Sequence, residues 1–222
     1  MTTPFERLLV ILDYDGTITV DDCNEVVLQQ AVGDAWRVSD EAMQRGEISP
    51  NEAFRRQIGL LRVPRPELLA MTVAAARLRP GFRDFLAGLL DGGARVVIVS
   101  DGLREAIAAV WERERLPAVE IHASELLGDP RTGYDVGFNT LALACERCEH
   151  CKAHVLRHVR NGEVRVAVFG DGDGDLCLAR HADIVFARRR LAGLCAREGI
   201  AFHPFDGYAD ALAALEATAA SR

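Results

Sequence analysis

Two carboxylates two residues apart, Asp13 and Asp15, stand in the run Asp13-Tyr14-Asp15-Gly16-Thr17. A carboxylate can act as a nucleophile without deprotonation, provided a cation offsets its repulsion from an anionic centre such as phosphate. A second carboxylate beside it can protonate a leaving oxygen and then activate water. Gly16 allows a sharp backbone turn next to a substrate, and the Thr17 hydroxyl can tie the loop. The plainer alternative is a polar strand-to-helix turn. A further acidic run is Gly170-Asp171-Gly172-Asp173-Gly174-Asp175. Carboxylates among glycines suit a hard cation. A calcium loop is excluded, because Leu176 and Ala182 stand where its glycine and closing glutamate would be. A dinucleotide fingerprint also fails on glycine spacing. Magnesium shared with Asp13 is the reading that remains. Ser100, followed by Asp101 and Gly102, offers a hydroxyl and turn amides to phosphate oxygens, although a serine at a helix start is ordinarily a cap. Lys152 can supply a point charge to phosphate, although alone it would read as a surface lysine.

These groups are far apart in sequence, so the elements between them must bring them together. Arg7 to Leu12 is a continuous apolar run that ends at Asp13, the pattern of a central strand covered on both faces. Ala94 to Val99 ends at Ser100, Val164 to Phe169 ends at Gly170, and Asp183 to Ala187 is a weaker fourth run. Helical patterns lie between them, over Phe82 to Leu90, Leu103 to Arg115, Lys152 to Arg160 and Leu176 to His181. The alternation predicts an α/β fold with a doubly wound parallel sheet. Such sheets bind ligands at the carboxyl ends of their strands, where every polar run above falls. Residues 20–78 carry four helical patterns and no strand. They are expected to form a small helical cap inserted after the first strand, with 1–19 and 79–222 as the core. Gly128 to Cys151 reads as turns followed by a cysteine cluster, and Gly207 to Ala220 as a final helix.

Composition narrows the function classes. A formal net charge of -7 over 222 residues leaves no basic stripe for nucleic acid. The longest apolar runs are too short for a membrane span. The opening Met-Thr-Thr-Pro-Phe-Glu-Arg holds no signal-like apolar stretch, so a cytoplasmic location is expected. Cys145, Cys148 and Cys151 crowd one loop, whereas Cys23, Cys177 and Cys195 read as small buried apolar residues. The cluster, with His150 and His154 nearby, can be a structural zinc site or simply close-packed thiols. Zinc sites commonly use two separated pairs of ligands, and here the candidates share one short loop.

Taken in order, the four polar runs resemble the motifs of the haloacid dehalogenase superfamily, over Leu8 to about Leu215. The resemblance implies Asp13 as nucleophile, Asp15 as general acid and base, and Ser100 with Lys152 as phosphate ligands. It also implies a magnesium ion held by Asp13, Asp171 and Asp175 with the Asp15 carbonyl. The superfamily's dehalogenases lack the acid at position 15, so phosphoryl chemistry is expected. A helical insert directly after the first motif is similar to the phosphoserine phosphatase subgroup. Cys145 to Lys152 resembles the approach to the motif lysine in two related groups, the phosphoethanolamine/phosphocholine phosphatases and the methionine-salvage phosphatases of 2-hydroxy-3-keto-5-methylthiopentenyl-1-phosphate. Phe186 to Cys195 with His203-Pro204-Phe205 looks closer to the second. The expected activity is magnesium-dependent hydrolysis of a small phosphorylated metabolite through an aspartyl phosphate. Phosphoserine and phosphocholine are alternative substrates, and a phosphotransferase would use the same residues. A non-catalytic binding module should have lost a motif carboxylate, and none is lost. In the cap, Asp22, Arg55 and Arg56 are candidate substrate contacts, with Asn24 and Glu25 nearby. Asp22 can equally be a helix-start acid, and both arginines can be solvated. Trp36, Met43 and Phe54 read as cap core, and His122 and His181 as non-catalytic. No coiled coil is evident, which leaves monomer or homodimer.

Overall fold

The computed structural model describes residues 4–220; residues 1–3, the start of the N-terminal stretch read above, and 221–222 lie outside the described residues. The first strand, β1 (Leu8–Leu12), is central. It lies between β2 (Arg95–Leu103) and β5 (Arg165–Gly170) and is parallel to both. Its side chains alternate between two cores. Leu8, Val10 and Leu12 face one apolar cluster, and Leu9 and Ile11 the other. Both faces are covered, so no polar residue interrupts the run.

β3 (Glu120–Asp129) extends the sheet parallel to β2, while β6 (Ile184–Ala187) and β7 (His203–Pro204) extend it parallel to β5. β4 (Gly133–Gly137) runs antiparallel to β3, which gives the seven-stranded order β4-β3-β2-β1-β5-β6-β7. Helices α5 (Phe82–Asp91), α6 (Arg104–Arg113) and α10 (Ala209–Ala220) lie over one face. α7 (Lys152–Val159) covers the other, through Val155, Leu156 and Val159. The short α8 (Leu176–Ala179) and α9 (Arg189–Glu198) enclose the β6 side through Ala179, Leu191 and Cys195. This is the expected doubly wound α/β sheet. Among the described residues no helix is long and apolar enough to cross a membrane.

Between β1 and α5 lie α1 (Cys23–Val32), α2 (Arg37–Gln44), α3 (Pro50–Gly59) and α4 (Arg65–Ala75). Their starts are written locally. The Asp22 carboxylate accepts from the Glu25 N–H at the head of α1, and Ser49 accepts from Glu52 ahead of α3, whose first residue is Pro50. α1, α3 and α4, with Trp36 just ahead of α2, share a core with β3, β4 and α6: Val27, Trp36, Ile58 and Leu68 pack with Ala106, Leu126, Tyr134 and Val136. Tyr134 also donates to the Val63 carbonyl at 2.9 Å.

That hairpin departs from expectation. Residues 128–151 read as turns, whereas β3 runs to Asp129 and turns back into β4. The Asp129 carboxylate closes the turn by accepting from the N–H groups of Arg131 and Thr132. Gly133 takes φ +104° there, a conformation side chains disfavour. The helix α9 and the two-residue β7 were also not expected, α9 because its arginine-rich start hides its apolar stripe and β7 because it is so short.

Candidate active site

The register of the sheet places three strand ends side by side. Leu12 pairs with Ile98 on β2 and with Phe169 on β5, and the Asp13 N–H donates to the Phe169 carbonyl at 3.0 Å. Asp13 therefore emerges between Ser100 and Gly170. The register of β2 against β3 shifts between Val99 and Leu103. That irregularity turns Ser100, Asp101 and Gly102 around the strand end.

Lys152 is buried at the first turn of α7. Its ammonium donates to Asp13 Oδ1 at 2.8 Å and to Asp175 Oδ1 at 2.8 Å, with Asp101 Oδ2 at 3.6 Å. The other oxygen of Asp175 accepts from the N–H groups of Asp171 and Gly172 at 3.0 and 3.2 Å. Asp175 thus fastens its own loop to Lys152. Gly170 makes room for it, since a Cβ there would lie 2.5 Å from Asp175 Oδ2.

Asp13, Asp171 and Asp175 present carboxylate oxygens within 4.8 Å of one another. Lys152, together with the half-exposed Arg189 at 3.5 Å from Asp171 Oδ2, does not balance three carboxylates. Burial, then Asp175, pushes Asp13 well above the usual carboxylate range against the pull of Lys152. Burial and Asp175 likewise push Asp171 up to about 6. Burial acts to lower Lys152, but Asp101, Asp13 and Asp175 outweigh it and hold the ammonium well above its ordinary range. An all-oxygen donor set short of positive charge fits a hard divalent cation.

Asp15 is held by the insertion. Its Oδ1 accepts from the Cys23 N–H at 2.8 Å and its Oδ2 from the Asn24 side-chain amide at 3.0 Å. Burial, then repulsion from Asp22, lifts its carboxyl well above the ordinary value. A carboxyl that retains its proton can deliver it to a leaving oxygen. Gly102 fits against this pair, because a Cβ there would lie 2.9 Å from Asp15 Oδ2. Its N–H donates to Ser100 Oγ at 3.0 Å, so that amide serves the serine.

The loop after Asp13 needs other residues than expected. Gly16 does take the left-handed φ of +71°. The buried Thr17 hydroxyl, however, finds no hydrogen-bond partner. Thr19 ties the loop instead, accepting from the Gly16 N–H at 3.2 Å and donating to the Asp21 carbonyl at 2.7 Å. Arg79, which no motif marks, is buried at 6 % exposure and donates to the carbonyls of Gly16, Thr17 and Thr19 at 2.8 to 3.0 Å. Replacing Arg79 with Met should strand those carbonyls, at a cost on the order of 3 kcal/mol. A thermal melt should show a drop of roughly 6–12 °C.

A cleft of about 310 Å³ opens from these groups toward α1, α2 and α3. Asp13, Asp15, Ser100, Asp101, Gly102, Lys152, Asp171 and Asp175 all line its floor. Asp22 lines it as well as heading α1, so its two expected placements coincide. Arg55 and Arg56 do not line it. Both are exposed: Arg55 pairs with Asp135 at 2.9 Å and lies over the Phe138 ring, while Arg56 pairs with Glu52 at 2.6 Å. Each lies on the outward side of α3, where a carboxylate partner is nearer than the cleft. Trp36, Met43 and Phe54, read as cap core, form the cleft's apolar wall, and Trp36 and Phe54 also belong to that core. The cysteine loop lies beside Lys152, and Cys177 of α8 joins Cys145, Cys148 and Cys151 in one group. Cys177 therefore has thiol neighbours where a plain apolar site was expected. His150 turns elsewhere, stacking on Phe138 and meeting the Asn51 side chain.

Residues 10–180 match the haloacid dehalogenase-like hydrolases. The chain belongs to that family. Among curated relatives, this hydrolase is 25% identical to a polyol phosphate phosphatase of Saccharomyces cerevisiae, over 95% of this chain and 93% of that one. It is 28% identical to a 2-hydroxy-3-keto-5-methylthiopentenyl-1-phosphate phosphatase of Geobacillus kaustophilus, over 95% and 96%. A substrate-bound phosphoserine phosphatase shares the fold at a TM-score of 0.70 with 15% identity, over 93% of this chain and 97% of that one. The family, the fold and the phosphatase relatives agree: the chain is a phosphatase of this family.

Proposed function

We propose that this phosphatase is magnesium-dependent and hydrolyses a small phosphomonoester with an uncharged leaving group through an aspartyl phosphate on Asp13. One observation carries the reading: Asp13, Asp15 and Lys152 converge at the base of one cleft, with Asp13 bound to Lys152 at 2.8 Å. Asp13 and Asp171 would hold the magnesium ion with Asp175 and the Asp15 carbonyl, and the ion would supply positive charge beside the phosphoryl group. Asp13 attacks phosphorus in line with the leaving oxygen, and Lys152 with the Ser100 hydroxyl steadies the phosphoryl oxygens. Asp15 gives its proton to the leaving alkoxide. It then takes a proton from the water that cleaves the aspartyl phosphate, and the carboxylate of Asp13 returns. Residues 20–78 act as the cap, carrying the α1 groups that hold Asp15 and closing the cleft against bulk water.

The lining speaks to the substrate. Among the described residues, Lys152 is the only lysine or arginine on the cleft, and Asp22, Glu25 and Asp40 line it together with Trp36, Met43 and Phe54. A leaving group with its own carboxylate, as in phosphoserine, meets acids and no second cation. A hydroxylated or thioether-bearing leaving group finds hydrogen-bond partners and apolar wall. The same three acids and Trp36 favour, as a second reading, a cationic leaving group such as choline.

Steady-state kinetics on a panel of phosphomonoesters decides between these. A polyol phosphate or a methylthiopentenyl phosphate should exceed phosphoserine in kcat/KM by about tenfold or more, the scale of one unpaired buried charge. Phosphocholine as the best substrate would select the second reading, and phosphoserine as the best would overturn both. Chelation should stop turnover and magnesium restore it. Inorganic phosphate as sole phosphorylated product in the presence of an added acceptor alcohol would separate hydrolysis from phosphotransfer.

A further inference from the structure

We propose that Cys145, Cys148, Cys151 and Cys177 bind one structural zinc ion, which clamps the loop before Lys152 to the segment after Asp175. The site stands independently of the substrate reading above. The four Sγ atoms lie within 4.8 Å of one another, with Cys145 and Cys148 at 3.4 Å and Cys148 and Cys177 at 3.9 Å. A tetrahedral ion with zinc–sulfur bonds of about 2.3 Å separates its ligands by about 3.8 Å, which those two separations bracket. A disulfide would need sulfurs at about 2.05 Å, and all four cysteines are free thiols.

The surroundings suit thiolates. The Arg147 N–H donates to Cys145 Sγ at 3.4 Å, and the Cys145 N–H closes the loop onto the Cys148 carbonyl at 2.8 Å. A backbone donor aimed at a ligand sulfur is the outer support that metal-bound cysteines need. The fold supplies the missing fourth ligand: three cysteines come from one loop, and Cys177 arrives from α8 across the sheet end. This is the donor the sequence spacing lacked. His150 and His154 are not in the group, and the ring of His150 is taken up by Phe138 and Asn51.

Placement shows what the ion does. Cys151 directly precedes Lys152, and Cys177 follows Asp175 by two positions. The two segments so joined deliver the 2.8 Å contact of Lys152 with Asp175. Between Cys148 and Cys151, His150 touches Phe138 and Asn51 of the cleft wall. A zinc ion would therefore fix the phosphate-side lysine and part of the cleft together. Four thiolates select zinc over magnesium, which keeps the two metals on separate donor sets. Binding releases the thiol protons and adds to folding stability.

The test uses the full chain expressed with added zinc, stripped of loose metal and analysed by plasma mass spectrometry. About one zinc per chain should remain, in the wild type and in Asp171→Asn alike, and should be lost in Cys145→Ser and Cys177→Ser. Cobalt replacing the zinc should give intense thiolate charge-transfer and tetrahedral ligand-field bands. Should the serine variants fail to fold, titrating wild-type thiols with a mercurial while a chromogenic chelator reports released zinc answers the same question. Release in step with the titration of four thiols supports the site. Zinc below about a tenth of an equivalent, a disulfide in its place, or zinc lost in Asp171→Asn but kept in the cysteine variants overturns it.

Discussion

Asp13→Asn should lower kcat by about 10⁴-fold or more while the protein stays folded. Removing a covalent nucleophile leaves only binding and electrostatic preorganisation, and nucleophile deletions in other hydrolases fall in that range or beyond. The amide is nearly isosteric, and its carbonyl oxygen can still accept from Lys152, which keeps Asp175 as a second partner at 2.8 Å. Charge also favours the variant. The carboxyl at position 13 is raised by burial and by Asp175, so its ionised form is disfavoured in the folded chain. A group whose folded pKa is raised weakens the fold once it ionises. The variant should therefore melt at the wild-type temperature or above it, when both are compared without divalent metal. Activity lost with the melting temperature kept is the signature of chemistry removed, and wild-type turnover on an aryl phosphate would contradict the assignment.

Asp15→Asn should slow turnover by about 10² to 10⁴-fold, the usual yield of general acid–base catalysis. The defect should fall unevenly on the two half-reactions. An aryl leaving group departs without much help, so the first step recovers on such substrates. Attack of water on the aspartyl phosphate still needs the base. Rapid mixing with an aryl phosphate should then show a burst of phenol followed by a slow steady state, with phosphorylated enzyme accumulating. Asparagine also disturbs the site's hydrogen bonds. Both oxygens of Asp15 accept, one from Cys23 N–H and one from Asn24, and an amide can accept at only one of those positions. Some loss of order at the start of α1 should accompany the loss of rate. An unchanged kcat on an alkyl phosphate would remove Asp15 from the mechanism.

The parts of this molecule that could be read before its structure share a physical reason. β1 is sandwiched between two cores, so Leu8 to Leu12 must be apolar throughout and Asp13 marks its end abruptly. Lys152 opens α7, Asp171 follows the end of β5 and Asp175 directly precedes α8, boundaries that the same alternation locates. The parts that escaped depend on contacts distant in sequence. Arg79 reads as an ordinary arginine before Pro80, and only the folded chain shows its guanidinium among the carbonyls of residues 16–19. Cys177 looks like an apolar filler until α8 brings it to the cysteine loop. The single signal available was its position two residues after a motif aspartate. Thr17 and Thr19 are indistinguishable by type, and the turn at Gly16 decides which hydroxyl reaches the loop. Arg55 and Arg56 were candidates for a substrate carboxylate, yet Asp135 and Glu52 are their partners. The β3–β4 hairpin was missed because β4 is the edge strand and exposed residues in both strands dilute the apolar pattern.

The stereochemical course at phosphorus reports whether the phosphoryl group passes through Asp13. Each in-line displacement inverts the phosphorus centre, so transfer to Asp13 and then to water restores the original configuration. A phosphorus-chiral thiophosphate ester hydrolysed in isotopically labelled water should give product of net retained configuration. Net inversion would mean that water attacks the substrate in a single step, and Asp13 would then have no covalent role.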